Sequence, residues 1–415
     1  MEAIIDKCCG LDVHQATVVA CALVGEGLGR PKKVVRTFRT FACDLRALRD
    51  WLTELGVTHV GMESTGIYWV PVFRVLEGGF ELIVGNAQHI KNVPGRKTDV
   101  KDSEWLAQLV RCGLIRPSFV PPLPIRELRE LTRLRRSQTN DQARIRNRIQ
   151  KQLETAGIKL ASVASDVFGA SGRAMLRALA AGQTEAKELA QLAKSVLRRK
   201  IPTLIDALEG NFEEHHRYLL RFQLERLDEA ERAVGALDAR IREKLEPYQA
   251  ELSLLLQIPG FDRTVAASFI AETGGDMSVF PTERHLAAWT GVSPGNNESG
   301  GKSRPTGARK GNVHLTTTLV QAALGAIKKR GSYYKDKYWR LRSRRGAMRA
   351  MIAIAHKLLI AAYEVLLHKQ PFVDLGDQYL TRRSETDVTR KHVRRLEALG
   401  YDVALSLREV AGRVS

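Results

Sequence analysis

The chain reads as an α/β unit followed by an all-α remainder, and three observations lead there. Its first 115 residues alternate short, β-rich apolar runs with segments of helical spacing. From Pro121 onward the apolar residues are sparser and recur at helical intervals. Charge divides the chain in the same way. Residues 1–110 hold 13 basic and 13 acidic side chains, whereas residues 300–360 hold 15 basic ones and a single acid, Asp336. That net charge of +14 is most of the +19 carried by all 415 residues. So dense a charge repels itself unless a polyanion is present, so nucleic acid is the expected partner, well ahead of an anionic membrane surface.

Composition narrows the remaining classes. The length suits two or three domains with cores of their own. The start, MEAIIDKCCGLDVH, lacks the basic and long apolar regions of a signal peptide. No stretch approaches the roughly 20 apolar residues of a membrane span, so a cytoplasmic protein is expected. Five cysteines (Cys8, Cys9, Cys21, Cys43, Cys112) form no CxxC pair and read as buried thiols, not as a disulfide framework or zinc site.

The elements follow in order. AIIDKCCGLDV and QATVVACALV are apolar and β-rich, and KVVRTFRTF alternates. ACDLRALRDWLTELG carries helical spacing and a glycine stop, VTHVGME is a short buried strand, IYWVPVFRVLEG a helix, and ELIVGN another strand. Three strands, helix, strand, helix, strand is the order of ribonuclease-H-like folds. PPLP at 121–124 reads as a linker before one long basic helix, and a second long helix is expected over roughly 208–256. In the latter, Leu220, Leu227, Val234, Ile241 and Tyr248 recur every seven residues, a heptad seam that predicts a coiled coil within or between chains. The Ala-rich stretch between the two is helical and carries no evident chemistry. LLQIPGFDRTVAASFIAETG resembles a helix-hairpin-helix that offers free N–H groups to a phosphate, or else a plain turn between packed helices. A Gly-, Asn- and Ser-rich loop over 291–312 precedes two basic helices and a helical tail. The expected divisions are 1–120, 121–252, 253–370 and 371–415.

Four acids occupy telling places. Asp12 ends the first strand and Glu63 the fourth, which are neighbours in a ribonuclease-H-like sheet. Asp99 and Asp102 stand three apart where an amphipathic helix begins, amid Arg96, Lys97, Lys101 and Arg111. Singly, each has an ordinary explanation, as a helix cap or a strand-end acceptor. Together they would repel strongly without cations, and an all-oxygen cluster suits Mg²⁺, which can activate an attacking oxygen and stabilise a leaving one.

The stretches GLDVHQATVVACAL, GMESTGIYWVPVFRVLE, KTDVKDSEWLAQLVRCGLI, IPGFDRTVAASFIAE and WTGVSPGNNESGGK…GARKGNVHL together resemble the DEDD transposases of bacterial insertion sequences. The resemblance covers about residues 1–120 and 253–365. It implies a RuvC-like N-terminal domain with Asp12, Glu63, Asp99 and Asp102 as the metal-binding quartet. It also implies a nucleophilic serine at Ser299 in a C-terminal transposase domain, and a bridge RNA that selects donor and target DNA. The implied activity is RNA-guided cleavage and exchange of DNA strands through a phosphoserine, in a homodimer or homotetramer whose active site draws on two protomers. On chemistry alone, Gly300 and Gly301 let a DNA backbone approach Ser299, and Lys302, Arg304, Arg309 and Lys310 would neutralise the attacked phosphate. Ser293 and Ser303 compete for the same role. Further phosphate contacts are expected from Arg126, Arg129, Arg133, Arg135, Arg136, Arg144 and Arg148 on the long basic helix, and from Arg344 and Arg345. The alternatives are a resolvase-like, metal-dependent endonuclease that uses water, and a non-catalytic nucleic-acid-binding regulator.

Overall fold

In the computed structural model the described residues are 4–25, 30–64, 66–91, 102–293, 298–299, 302–303 and 311–405. They fall into two compact units, Met1–Val120 and Pro121–Ser415.

The first unit is a five-stranded sheet with helices on both faces. Strands β1 (Lys7–Val13), β2 (Thr17–Val24) and β3 (Lys32–Arg39) form an antiparallel meander, followed by α1 (Ala42–Glu54), β4 (His59–Glu63), α2 (Trp69–Leu76), β5 (Glu81–Gly85), α3 (Ala87–Lys91) and α4 (Asp102–Arg111). Strand order is β3-β2-β1-β4-β5, and β4 pairs in parallel with both β1 and β5. The expected adjacency of first and fourth strands is therefore observed. Because both faces of β1 are covered, it reads as a nearly continuous apolar run. Cys9 and Leu11 face a core completed by Leu48, Leu52 and Phe73 of α1 and α2, while Cys8 faces Leu106, Ala107 and Val110 of α4. Burial pushes the thiols up, to about 12 at Cys8 and about 11 at Cys21, so both stay protonated and act as small apolar groups. Cys43, expected to be buried, is exposed on α1, and Cys112, also expected to be buried, is half-buried. The outer strand β3 presents Lys32, Lys33, Arg36 and Arg39, which discourage further strand pairing.

Among the described residues the second unit is helical apart from one hairpin. Its elements are α5 (Leu123–Thr155), α6 (Leu160–Val163), α7 (Ala170–Ala181), α8 (Ala186–Gln191), α9 (Ile201–Leu208), α10 (Glu214–Lys244), α11 (Gln249–Leu255), α12 (Arg263–Thr273), α13 (Glu283–Thr290), β6 (Glu298–Ser299), β7 (Lys302–Ser303), α14 (Val313–Ala326), α15 (Tyr333–Arg345), α16 (Ala347–His368) and α17 (Tyr379–Glu397). PPLP is not all linker. α5 starts at Leu123 with Pro124 in its first turn, where a missing N–H costs nothing. The single helix expected over 208–256 is α10, a 3₁₀ turn at Glu246–Tyr248 containing Pro247, and α11.

Helices α5 and α10 pack antiparallel within the chain, tied by Gln142 Nε2 donating to the Ala230 carbonyl at 3.0 Å and by an Arg135–Asp238 ion pair. Of the heptad positions, Leu220, Leu227 and Ile241 are buried. Val234 and Tyr248 are only half-buried, and Leu224 joins the seam instead. The stretch α6–α9 packs its apolar side chains (Leu160, Leu176, Leu179, Leu204) onto Ile149 and Leu153 of α5 and Leu220 and Leu227 of α10.

Helix α16 corrects the expectation that no stretch is apolar enough for a membrane. It is 22 residues long, with a window of mean hydropathy 1.8. Ala350, Ile354, Leu358, Leu359 and Ala362 are buried, and the helix packs against α14 and α15 as a core helix.

The turn Ile258-Pro259-Gly260-Phe261 joins α11 to α12, and Asp262 caps α12 by accepting from the Val265 N–H at 2.8 Å. Gly260 has φ +85°, and a Cβ there would overlap the Ala322 carbonyl and come within 2.8 Å of the Ala326 nitrogen on α14. The hairpin's glycine is therefore spent on a helix crossing, and a carboxylate already caps α12, an arrangement of packed helices more than of a phosphate cradle.

Candidate active site

Three of the four expected acids come from elements whose packing sets them at one end of the first unit's sheet. β1 and β4 run parallel, and their last register pair is Leu11 with Met62. Asp12 and Glu63 follow at the next position of each strand. Strand alternation puts Gly10 and Asp12 on one face of β1, and Gly61 and Glu63 on the same face of β4. That is the face covered by α4, since Cβ atoms at Gly10 and Gly61 would overlap the α4 backbone and the Val110 side chain respectively. Only glycine admits so close a helix.

The direction of α4 completes the arrangement. Ile4 and Ile5 N–H groups donate to the Arg111 carbonyl at 2.9 and 3.1 Å, the Cys8 thiol donates to the Ala107 carbonyl at 3.4 Å, and Gly10 lies against Ser103. α4 thus runs antiparallel to β1 and begins, at Asp102, beside the strand end that carries Asp12. Asp99 lies outside the described residues. Among the described residues no three His, Cys, Asp or Glu side chains stand together so as to hold a metal ion. The carboxylates carried at this end are nonetheless donors of the class that suits Mg²⁺.

His14 was not singled out from the sequence. Its Nε2 lies 3.1 Å from Asp12 Oδ2, and the imidazole is 61% exposed. A histidine two residues after an acid at a strand end is the only sequence signal for it.

In the second unit Ser299 lies in β6, its backbone paired with Lys302 across the hairpin, and Glu298 pairs with Ser303. Arg304, Arg309 and Lys310 lie outside the described residues. Ser293 sits two residues past the Gly291 that ends α13.

The expected phosphate-binding arginines divide. Arg144, Arg148, Arg344 and Arg345 are exposed, with Arg144 paired to Asp141 at 2.9 Å. Arg135 pairs with Asp238, and Arg136 donates to the His314 carbonyl at 3.2 Å. Arg126, Arg129 and Arg133 correct the expectation. Arg126 is buried. Arg129 and Arg133 converge on Glu272 of α12, which is 1% exposed. Arg126 and Arg129 face inward because α12 packs across this side of α5, while Arg133 reaches Glu272 with its side chain still 39% exposed.

Glu272 is the centre of a polar cluster the sequence reading missed. Arg133 donates to both its carboxylate oxygens at 2.8 Å, and Asn312 Nδ2 donates to Oε2 at 2.7 Å. Burial works to raise this carboxyl, but the bonds from Arg133 and Asn312 and the nearby guanidinium charges win and hold it below the usual carboxylate range. Burial, aided by Arg133, lowers the nearby His314. The signal was an acid inside the apolar run VAASFIAETG, a place where an ionised group persists only when paired.

An α/β unit with acids at one sheet end, in a chain whose helical unit is strongly basic, is the composition of a protein that works on nucleic acid. A family model described as a transposase, of the DEDD type of IS110 elements, matches residues 9–158, and one described as transposase IS116/IS110/IS902 family matches residues 252–339. Together they span more than half of the chain, which belongs to this family of insertion-sequence transposases and is a DNA transposase. The chain is 25% identical over 287 residues to a probable family 20 transposase of Pseudomonas aeruginosa, 68% of this chain and 75% of that one. It is 31% identical over 119 residues to the transposase for insertion sequence element IS1111A of Coxiella burnetii, 28% of this chain and 32% of the relative.

Proposed function

We propose that this transposase cuts and exchanges DNA strands under the guidance of an RNA, with the Ser299 hydroxyl as nucleophile and Asp12, Glu63, Asp99 and Asp102 as the residues that hold Mg²⁺. The observation that carries the acidic half is the seating of α4 on Gly10 and Gly61, which brings the start of α4 to the strand ends bearing Asp12 and Glu63. Mg²⁺ bound there supplies charge relief at the phosphate oxygens.

The chain's own residues do the rest. Ser299 Oγ attacks the phosphorus of a DNA phosphodiester, and its proton leaves as the serine–phosphorus bond forms. The departing deoxyribose oxygen takes up a proton as its bond to phosphorus breaks. One phosphoester replaces another, so bond energy is conserved and no nucleotide hydrolysis is needed. Attack by the hydroxyl of an exchanged strand reverses the step and frees the serine. Lys302, Arg304, Arg309 and Lys310 neutralise the phosphate under attack, and Gly300 and Gly301 admit the backbone. The exposed arginines, Arg144, Arg148, Arg344 and Arg345, bind phosphates of DNA and RNA. Donor and target DNA and a structured RNA are the partners, and a dimer or tetramer is the working form.

The test is to incubate the protein, with the RNA that copurifies, with plasmid carrying the element, and to denature before electrophoresis. A covalent protein–DNA species is expected, with the copurifying RNA mapping beside the gene. Cleavage without any covalent species would support a hydrolytic endonuclease instead. DNA binding without cleavage would support a non-catalytic regulator.

A further inference from the structure

We infer that Glu272 is a positioning residue for the serine-bearing loop, acting through Asn312. The inference rests on Ser299 as the nucleophile and concerns what holds its loop in place. Both ends of the segment between α13 and α14 meet at one point. At its start, Gly291 closes α13 in a left-handed turn; at its end, a Cβ on Gly311 would overlap Gly291 and Thr290. The Asn312 N–H donates to the Trp289 carbonyl at 3.1 Å, and the Thr316 hydroxyl donates to the Thr290 carbonyl at 2.6 Å.

Asn312 is the pivot, and its amide has one usable orientation. Oδ1 accepts from the Leu315 N–H at 3.0 Å and caps α14, while Nδ2 donates to Glu272 Oε2. Reversing the amide would set an oxygen against a carboxylate and an NH₂ against an N–H. Glu272 is fixed in turn by the two bonds from Arg133, with Arg129 Nε 3.5 Å from Oε2. Arg129 also donates to the Ala271 and Glu272 carbonyls at 3.1 and 2.7 Å, which locks the end of α12 to α5. The loop base is therefore referenced to a buried, charge-paired carboxylate on a neighbouring helix. In this reading the cluster acts on the loop base and takes no part in contacts with the reacting atoms. Its effect is on where the loop is held, and a misplacement of about 1 Å costs on the order of a hundredfold in rate.

Removing Glu272 itself would leave the partly buried Arg129 and the half-exposed Arg133 without their shared carboxylate and risk unfolding, so Asn312 is the place to test. Asn312→Asp and Asn312→Ser both keep a good helix cap, but the first sets carboxylate against carboxylate and the second withdraws the donor. The full-length protein with its copurifying RNA cleaves plasmid carrying the element, read with DNA affinity, melting temperature and amide exchange at residues 311–312. Asn312→Asp should cleave about a hundredfold more slowly, with DNA affinity within a few-fold of wild type and faster exchange at 311–312. Asn312→Ser should fall between the two. The double variant Glu272→Gln/Asn312→Asp restores one negative charge and one donor to the pair, and should recover at least tenfold of the hundredfold loss. Wild-type cleavage and exchange in both Asn312 variants would overturn the inference, as would an equal loss of cleavage and DNA binding, or no recovery in the double variant. Failure of the serine reading shows separately, as cleavage that persists in Ser299→Ala with Asn312 intact.

Discussion

Gly10 of β1 and Ser103 of α4 meet backbone to backbone. A Cβ at Gly10 would overlap the Ser103 carbonyl oxygen and the Ala107 nitrogen and stand 2.8 Å from the Leu106 carbonyl carbon. Backbone cannot swing aside as a long side chain can. Gly10→Ala should therefore lift α4, destabilise the first unit by about 1–3 kcal/mol as overpacked cores do, and lower cleavage more than this stability loss explains. The check is thermal denaturation alongside a cleavage assay at a temperature where the variant remains folded. Wild-type activity in Gly10→Ala would separate the seating of α4 from the chemistry.

The carboxylates give a second prediction. Asp12→Asn, Glu63→Gln, Asp99→Asn and Asp102→Asn should each abolish strand cleavage in Mg²⁺ while leaving nucleic-acid binding intact, because on the proposed reading each removes an anionic oxygen ligand and little volume. Gel-shift and cleavage assays on the same preparations read the two properties apart. Normal recombination by the Asp99→Asn and Asp102→Asn variants would make those residues helix caps and nothing more.

Much of this was legible in the sequence, and the legible part follows periodicity. All five strands of the first sheet and its two early helices were readable, because KCCGLDV, TVVACALV and the spacing of Leu45, Leu48 and Leu52 are local patterns. The short α3 was not, having five residues and no repeat. The heptad at Leu220, Leu227 and Ile241 announced a seam between the two long helices, but not whether it would close within one chain or between chains, nor that Pro247 would end the helix. Arg129 and Arg133 looked like their exposed neighbours, since nothing local reveals a partner 143 and 139 residues away. Glu272 and His14 were missed for the same reason: their meaning lies in contacts and not in spacing.

The α5–α10 seam should govern stability more than assembly. Leu227→Ala removes a fully buried side chain and should cost about 2–5 kcal/mol, whereas Val234→Ala, half-buried, should cost less than about 1 kcal/mol. Chemical denaturation measures the difference, and light scattering after size exclusion should find the mass in solution unchanged by Leu227→Ala. A shift in mass would mean that the seam also joins copies of the chain.

Affinity for nucleic acid should fall steeply with salt, on the proposal that the exposed arginines meet phosphates. With six to ten phosphate contacts the loss would be on the order of a thousandfold or more between about 50 and 200 mM salt. Replacing Arg344 and Arg345 with Ala should flatten that slope by about two phosphates' worth, while a change at Arg129 should act through folding instead, since it is committed to Glu272 and neighbouring carbonyls. Fluorescence anisotropy across a salt series distinguishes the two. A flat salt dependence would contradict the assignment.

The nucleophile is the central claim, and peptide mapping of the covalent species tests it most directly. The protein is trapped on DNA during cleavage and digested, and the DNA-linked peptide is sequenced by mass spectrometry. The expected result is a phosphoester on Ser299, absent in Ser299→Ala together with all strand cleavage, while Ser293→Ala and Ser303→Ala behave as wild type. An adduct on Ser293 or Ser303 would move the nucleophile, and cleavage that persists in Ser299→Ala without any adduct would contradict the serine mechanism and leave the acidic residues to direct water.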